Sequence, residues 1–212
     1  MLVTQCLAAP IAALVEWLWL GTVLSAVEIW WSAVILAGVT LAIMPGRKDP
    51  PRVKVRIGGF VFGVLAAAGQ GLGAVVSRKG FGALAAAGQS MDGITSAYLR
   101  IAGGLAITVA YYVMFALLRR RPPGTEPPPA GSIRPARHLW VVANGLAGPV
   151  LGVSCYQWAL AGTPSGIVLP IVAATPLVIV PLSHWIEGER PSRRSLAGGV
   201  IAVIGAVGLT LV

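Results

Sequence analysis

The chain has 212 residues, of which 56% are hydrophobic and only 11% are charged, and its mean hydropathy is +0.81. Soluble domains carry about 25% charged residues, so this composition excludes a water-soluble globular protein. The formal net charge of +9 is typical of the basic loops that membrane proteins gather on their cytoplasmic side, and we expect no nucleic-acid partner. The composition predicts an all-α, polytopic protein whose principal partner is the lipid bilayer.

Seven apolar segments approach the length of about 20 residues that a helix needs to cross a bilayer. In chain order they lie at about 3–20, 27–45, 58–77, 93–118, 138–160, 166–186 and 195–212. The loops 45–57, 119–137 and 187–194 hold 5, 5 and 3 of the 16 Lys and Arg residues. By the positive-inside tendency these three loops face the cytoplasm, which places the C-terminus outside.

A leading and a trailing segment of the chain resemble each other. When residues 9–43 are set against 175–210, Pro10 coincides with Pro176 and Trp19 with Trp185. After a one-residue insertion three further pairs coincide: Gly21 and Gly188, Ser25 and Ser192, Gly38 and Gly205. Five spans separate the two starts, so the two copies would cross the membrane in opposite directions. Inverted repeats of this kind are typical of secondary transporters. The alternative is an apolar hairpin that recurs by composition alone.

Four motifs resemble one known family. They are TPLVIVPLSHWIEGERPSRRSLAGGVIAVIGAVGL, GPVLGVSCYQWALAGTPSGIVLPIVAATP, GGFVFGVLAAAGQGLGAVVSRKG and AYLRIAGG. As a set they are similar to an EamA-type member of the drug/metabolite transporter superfamily. The resemblance implies a bacterial inner-membrane transporter that moves a small metabolite by alternating access, coupled to a gradient or to exchange rather than to ATP. It also implies that both termini are cytoplasmic, which disagrees with the orientation that the basic loops favour.

The resemblance also implies a domain organisation. Residues 1–45 would be the last two helices of an N-terminal repeat, 46–57 a basic linker, and 58–212 a complete five-helix C-terminal repeat. Three helices of the family's ten are then lacking. Two functions stay open: a transporter, or a non-transporting module or remnant that needs a partner, such as a second copy or the missing helices.

Polar residues within the spans are candidates for function, because they are costly in lipid and tend to face a cavity. Arg100 could attract an anionic substrate, or it could snorkel to the interface or hold a structural pair. Glu16 is the carboxylate best placed for proton coupling, or it is close enough to the headgroups to be solvated. The remaining cavity candidates offer amide and aromatic groups: Gln70, Asn144, Tyr156, Gln157 and Trp158.

Two further sets of residues concern helix packing and bending. Gly198, Ala202 and Ala206 recur every four residues and form a small-residue stripe, for internal packing or for a dimer seam. Pro170, Pro176 and Pro181 are candidate hinges in one span, or they only shape its packing.

No chemistry beyond transport is indicated. The sequence contains no nucleophile–base arrangement and no phosphate-binding loop, so we expect no enzyme activity. Cys6 and Cys155 both lie in apolar segments without metal-type spacing, so we expect no metal site, no disulfide framework and no cofactor.

Overall fold

The computed structural model describes residues 6–44, 57–118, 135–187 and 192–212. These residues are helical almost throughout, and no strand occurs among them. The helices are α1 (Ala8–Leu20), α2 (Ala26–Ile43), α3 (Ile57–Ala86), α4 (Gly93–Leu118), α5 (Pro135–Gly145), a π-helical segment (Leu146–Gly152), α6 (Val153–Gly162), α7 (Ser165–Ala173), α8 (Thr175–Glu187) and α9 (Arg193–Thr210). The all-α fold class is confirmed.

Five helical stretches are long and apolar enough to cross a membrane: Ala26–Ile43, Ile57–Ala86, Gly93–Leu118, Leu139–Gly162 and Arg193–Thr210. Two shorter apolar stretches, Ala8–Leu20 and Ser165–Val178, complete the set. Together they correspond to the seven segments that hydropathy predicts. The predicted basic loops lie mostly outside the described residues: 45–57, 119–137 and 187–194. The orientation that they favour therefore stays a prediction. Of the linker 46–57 only the last residue is described, so the boundaries of the repeats stay predictions too.

Two helices differ from their predicted bounds. Helix α3 continues to Ala86, nine residues beyond the expected end at 77, because no proline interrupts its Gly- and Ala-rich sequence. Arg78 and Lys79 therefore lie in a helix and not in the expected loop. The predicted span 166–186 is divided between α7 and α8 at Ala174. Pro176 lies in the first turn of α8, where a missing backbone N–H breaks no hydrogen bond.

The contacts divide the chain into two compact units. The first comprises Met1–Gly88 and Leu160–Val212, and the second comprises Gln89–Ala159. The first unit contains the most extensive helix contact, between α2 and α9, while α1 packs against α3 and α7. In the second unit Gly93 lets α4 approach α6 closely, since a Cβ there would lie 2.7 Å from the Ser154 carbonyl oxygen.

Helices α2 and α9 run antiparallel with their backbones in contact. A Cβ added to Gly38 would lie 2.5 Å from the Ala202 nitrogen, and one added to Gly198 would lie 2.5 Å from the Ala42 nitrogen. As residue numbers rise along α2, the contacted numbers fall along α9. Small residues give membrane helices this close approach, which supplies van der Waals contact where lipid offers no hydrophobic driving force.

The same helix pair contains residues that the sequence alignment pairs. Ser25 and Ser192 both cap a helix N-terminus, with ψ of 155° and 152°. The aligned Gly38 and Gly205 both lie in the contact, against Ala202 and Ile35. The two helices run in opposite directions, as an inverted repeat requires. Any antiparallel helix pair has such reciprocal contacts, so the inverted repeat stays a prediction.

Candidate functional site

Glu16 lies buried in the first unit, with 2% of its surface exposed. One carboxylate oxygen accepts a hydrogen bond from Nε of Arg78 at 3.1 Å. The other accepts the backbone N–H of Ser165 at 2.7 Å and also the Ser165 hydroxyl. The alternative that Glu16 is solvated near the headgroups is therefore wrong.

Arg78 reaches Glu16 from α3 and is itself held in place. Its Nη1 donates to the carbonyl oxygen of Leu160 at 3.1 Å, and 19% of its side chain is exposed. The neighbouring ammonium of Lys79 lies 3.9 Å from the centre of the Trp19 ring, a cation–π contact. Two consecutive cations of α3 thus both engage the second half of α1.

Close helix packing brings these groups together. A Cβ on Gly71 would lie 2.8 Å from the Ala8 carbonyl oxygen, so α3 and α1 approach as near as their backbones allow. Ser165 is the first residue of α7, where backbone N–H groups have no partner within the helix. The positive end of the helix dipole at this terminus favours a carboxylate. Glu16 therefore sits where an anion is stabilised from two directions.

An apolar cavity of about 480 Å³ lies in the same unit. It is bounded by α1, α2, the turn between them and α7, and Ser32 and Thr22 supply hydroxyl groups in its lining. The Ser32 hydroxyl donates to the Gly166 carbonyl oxygen at 3.3 Å. Trp17 and Gly166, which also line the cavity, directly follow Glu16 and Ser165 in sequence. The cavity and the buried carboxylate thus share the same two helices.

The second unit groups three of the predicted cavity residues. The Arg100 guanidinium carbon lies 5.6 Å from the centre of the Tyr156 ring. The adjacent Gln157 is buried, and its amide nitrogen donates to the Ser96 hydroxyl at 2.8 Å. Trp158 is 75% exposed, and its backbone and Cβ lie against Gly93 of α4.

The other two predicted residues lie on other helices. Asn144 is exposed on α5, and Gln70 lies partly buried on α3 in the first unit. That the six candidates share one cavity stays a prediction.

The packing and hinge candidates have defined surroundings. Gly198 and Ala202 contact α2, and Ala206 packs partly buried against the same core. Pro170 is buried in α7 and lines the cavity. Pro176 lies in the first turn of α8, and Pro181 lies in its interior. The stripe on α9 is thus occupied by a contact within the chain.

Sequence reasoning missed Arg78 and Ser165 as partners of Glu16. One signal was available: Arg78, Lys79 and Arg100 are the only Lys or Arg residues outside the three basic loops. A carboxylate buried in lipid needs a cation, so one of the three was its expected partner. Ser165 had no such signal, because its role depends on where α7 begins.

The length, number and apolar composition of the described helices define a multi-pass membrane protein. The sequence pattern of the EamA-like transporter family matches residues 57–211. The chain therefore belongs to this family, whose members are drug/metabolite-type transporters and not enzymes. Comparison with curated proteins finds no match.

Proposed function

We propose that the protein carries a small metabolite across a bacterial inner membrane by alternating access, driven by a gradient or by exchange, with Glu16 as the coupling group. The observation that supports this is the burial of the Glu16 carboxylate, 2% exposed, in an ion pair with Arg78 inside apolar helices. An ionisable group in such a place is costly to maintain, and transporters use such groups as ion and proton relays.

The carboxylate joins three helices, because α1 provides Glu16, α3 provides Arg78 and α7 provides Ser165. Protonation of Glu16 removes the attraction to Arg78 and makes its oxygen a poorer acceptor for the Ser165 N–H. The contact that holds α1 against α3 and α7 is then weakened. A proton shifts a conformational equilibrium only if it binds one state more tightly than the other, and the loss of this ion pair supplies that difference.

The test is uptake into proteoliposomes. Purified protein is reconstituted, pools of labelled metabolites are offered, and uptake is measured with and without an imposed pH gradient. Wild-type protein should accumulate at least one compound in response to the gradient. Glu16→Gln, which keeps the side-chain volume but cannot ionise, should lose that response.

Glu28→Gln is the matched control. Glu28 belongs to the capping box of α2, and Gln serves equally well at that position. This variant should keep the wild-type response. Gradient-driven uptake that persists in Glu16→Gln would reject the coupling role of Glu16.

A further inference from the structure

We propose that Arg78 and Ser165 form a carboxylate-binding site which Glu16 fills in this structure and which accepts the carboxylate of a transported organic anion. The ligand class is a monocarboxylate with an apolar body. This inference rests on the proposed transport function and names the substrate class of that function.

The receptor is complete without Glu16. Its donors are Nε of Arg78, the backbone N–H of Ser165 and the Ser165 hydroxyl. All three belong to α3 or α7, whereas the carboxylate that they bind hangs from α1. A guanidinium group, a hydroxyl group and a helix N-terminus are the groups with which proteins recognise free carboxylates. Glu16 therefore occupies the place of a ligand.

Charge balance favours an exchange between Glu16 and such a ligand. When Glu16 is protonated, the Arg78 charge lacks a counterion in a medium of low dielectric constant, which is strongly unfavourable. In the described helices α1, α3 and α7, no other titratable side chain faces this point: Lys79 lies over Trp19, α7 contains no titratable residue, and Glu16 is the only one in α1. Helix α6, whose Leu160 carbonyl accepts from Arg78, carries Cys155 and Tyr156, and the Tyr156 ring lies against Arg100. An incoming carboxylate restores neutrality, so one anion accompanies one proton.

The apolar body of the ligand would lie in the cavity that the same helices bound. The cavity lining is largely apolar and includes Trp17 and Gly166, the residues next to Glu16 and Ser165 in sequence, but not Glu16, Arg78 or Ser165 themselves. A ligand whose carboxylate lies at Arg78 would therefore extend past Trp17 and Gly166 to reach this space. We expect benzoate, which carries such a body, to bind better than acetate, and we expect neutral amides, which have no charge to offer Arg78, not to bind.

Anion rescue tests the site without measuring transport. Purified Glu16→Ala protein has an empty carboxylate position, and its thermal unfolding is followed with benzoate, acetate, benzamide, acetamide and chloride at equal ionic strength. Benzoate at about 100 times its Kd should raise the unfolding midpoint by roughly 5 °C, and acetate should require a higher concentration. Both amides and chloride should have no effect. Adding Arg78→Gln to Glu16→Ala should abolish the rescue. The control Glu28→Ala keeps Glu16 in place, so benzoate should not raise its unfolding midpoint.

If Glu16→Ala does not purify as a folded protein, Glu16→Ser gives the same comparison, because it also leaves Arg78 without a counterion and the carboxylate position empty. A variant that folds but responds equally to carboxylates and amides overturns the carboxylate site. The proposed function is judged separately, by uptake into proteoliposomes. Rescue without any uptake would reject transport and keep the site, whereas Glu16-dependent uptake without rescue would keep transport and reject the site.

Discussion

Gly198 and Gly199 provide a matched test of the α2–α9 contact, because they are neighbours on one helix with opposite surroundings. A Cβ at Gly198 would lie 2.5 Å from the Ala42 nitrogen and 2.6 Å from the Gly38 carbonyl oxygen, whereas one at Gly199 would meet nothing within 4 Å. Carbon atoms pack at about 3.5–4.0 Å, so Gly198→Ala must push the helices apart by about 1 Å. Overpacking of this kind costs about 1–3 kcal/mol.

Both variants share the gain in helix propensity of about 0.5–1 kcal/mol, so the difference between them isolates the clash. We expect Gly198→Ala to be less stable than Gly199→Ala by about 1–3 kcal/mol. The free energy of unfolding can be measured by titrating detergent-solubilised protein with a denaturing detergent and following tryptophan fluorescence. Equal stability of the two variants would refute the backbone contact between α2 and α9.

Two further predictions concern charged residues. Arg78→Ala leaves Glu16 buried with only Ser165 as a partner, so it should lower the free energy of unfolding by about 3 kcal/mol, at the lower end for a broken buried pair. The matched variant Lys79→Ala removes only an exposed cation–π contact and should lower it by about 0.5–1 kcal/mol. The same unfolding titration compares the two variants, and equal losses would contradict the ion pair. Hydrogen bonds from the Thr95 hydroxyl and then from the Thr95 N–H lower the pKa of Asp92, at the start of α4, below its ordinary value of 3.8. Because the pKa is lowered in the folded protein, the ionised Asp92 carboxylate stabilises the fold above pH 3.8, and this stabilisation is lost as the pH falls below that value. The unfolding midpoint of wild type should therefore exceed that of Asp92→Asn by less on acidification below 3.8. A difference between the two midpoints that stays constant with pH would contradict this.

The helices could be predicted from the sequence because the bilayer imposes a length that apolar runs reveal directly. All seven segments were found this way, and Ser25 and Ser192 were paired before their capping roles were visible. The end of α3 was misplaced because Arg78 and Lys79 look like a loop when their partners are unknown. Those partners, Glu16 and Trp19, lie about sixty residues away along the chain.

The candidate site was predictable only in part, for a related physical reason. Glu16 stands out as a carboxylate in an apolar run, but its burial depends on how α1 meets α3 and α7. That meeting depends on a backbone contact at Gly71 and on close side-chain contacts at Gly166. The sequence alone does not show which neighbour a glycine in a membrane helix contacts. The grouping of Arg100 with Tyr156 follows from the register of α4 against α6, which hydropathy leaves open.

The antiparallel contact between α2 and α9 has a consequence for biosynthesis. Helix α2 leaves the ribosome before its main partner α9, because about 150 residues separate the two helices in the chain. The Gly38 surface lacks this partner until α9 has been made, so the α2–α9 contact forms only after the intervening helices have been translated. Chains released before α9 is made would lack the contact, and the resulting loss of stability would expose incomplete protein to degradation.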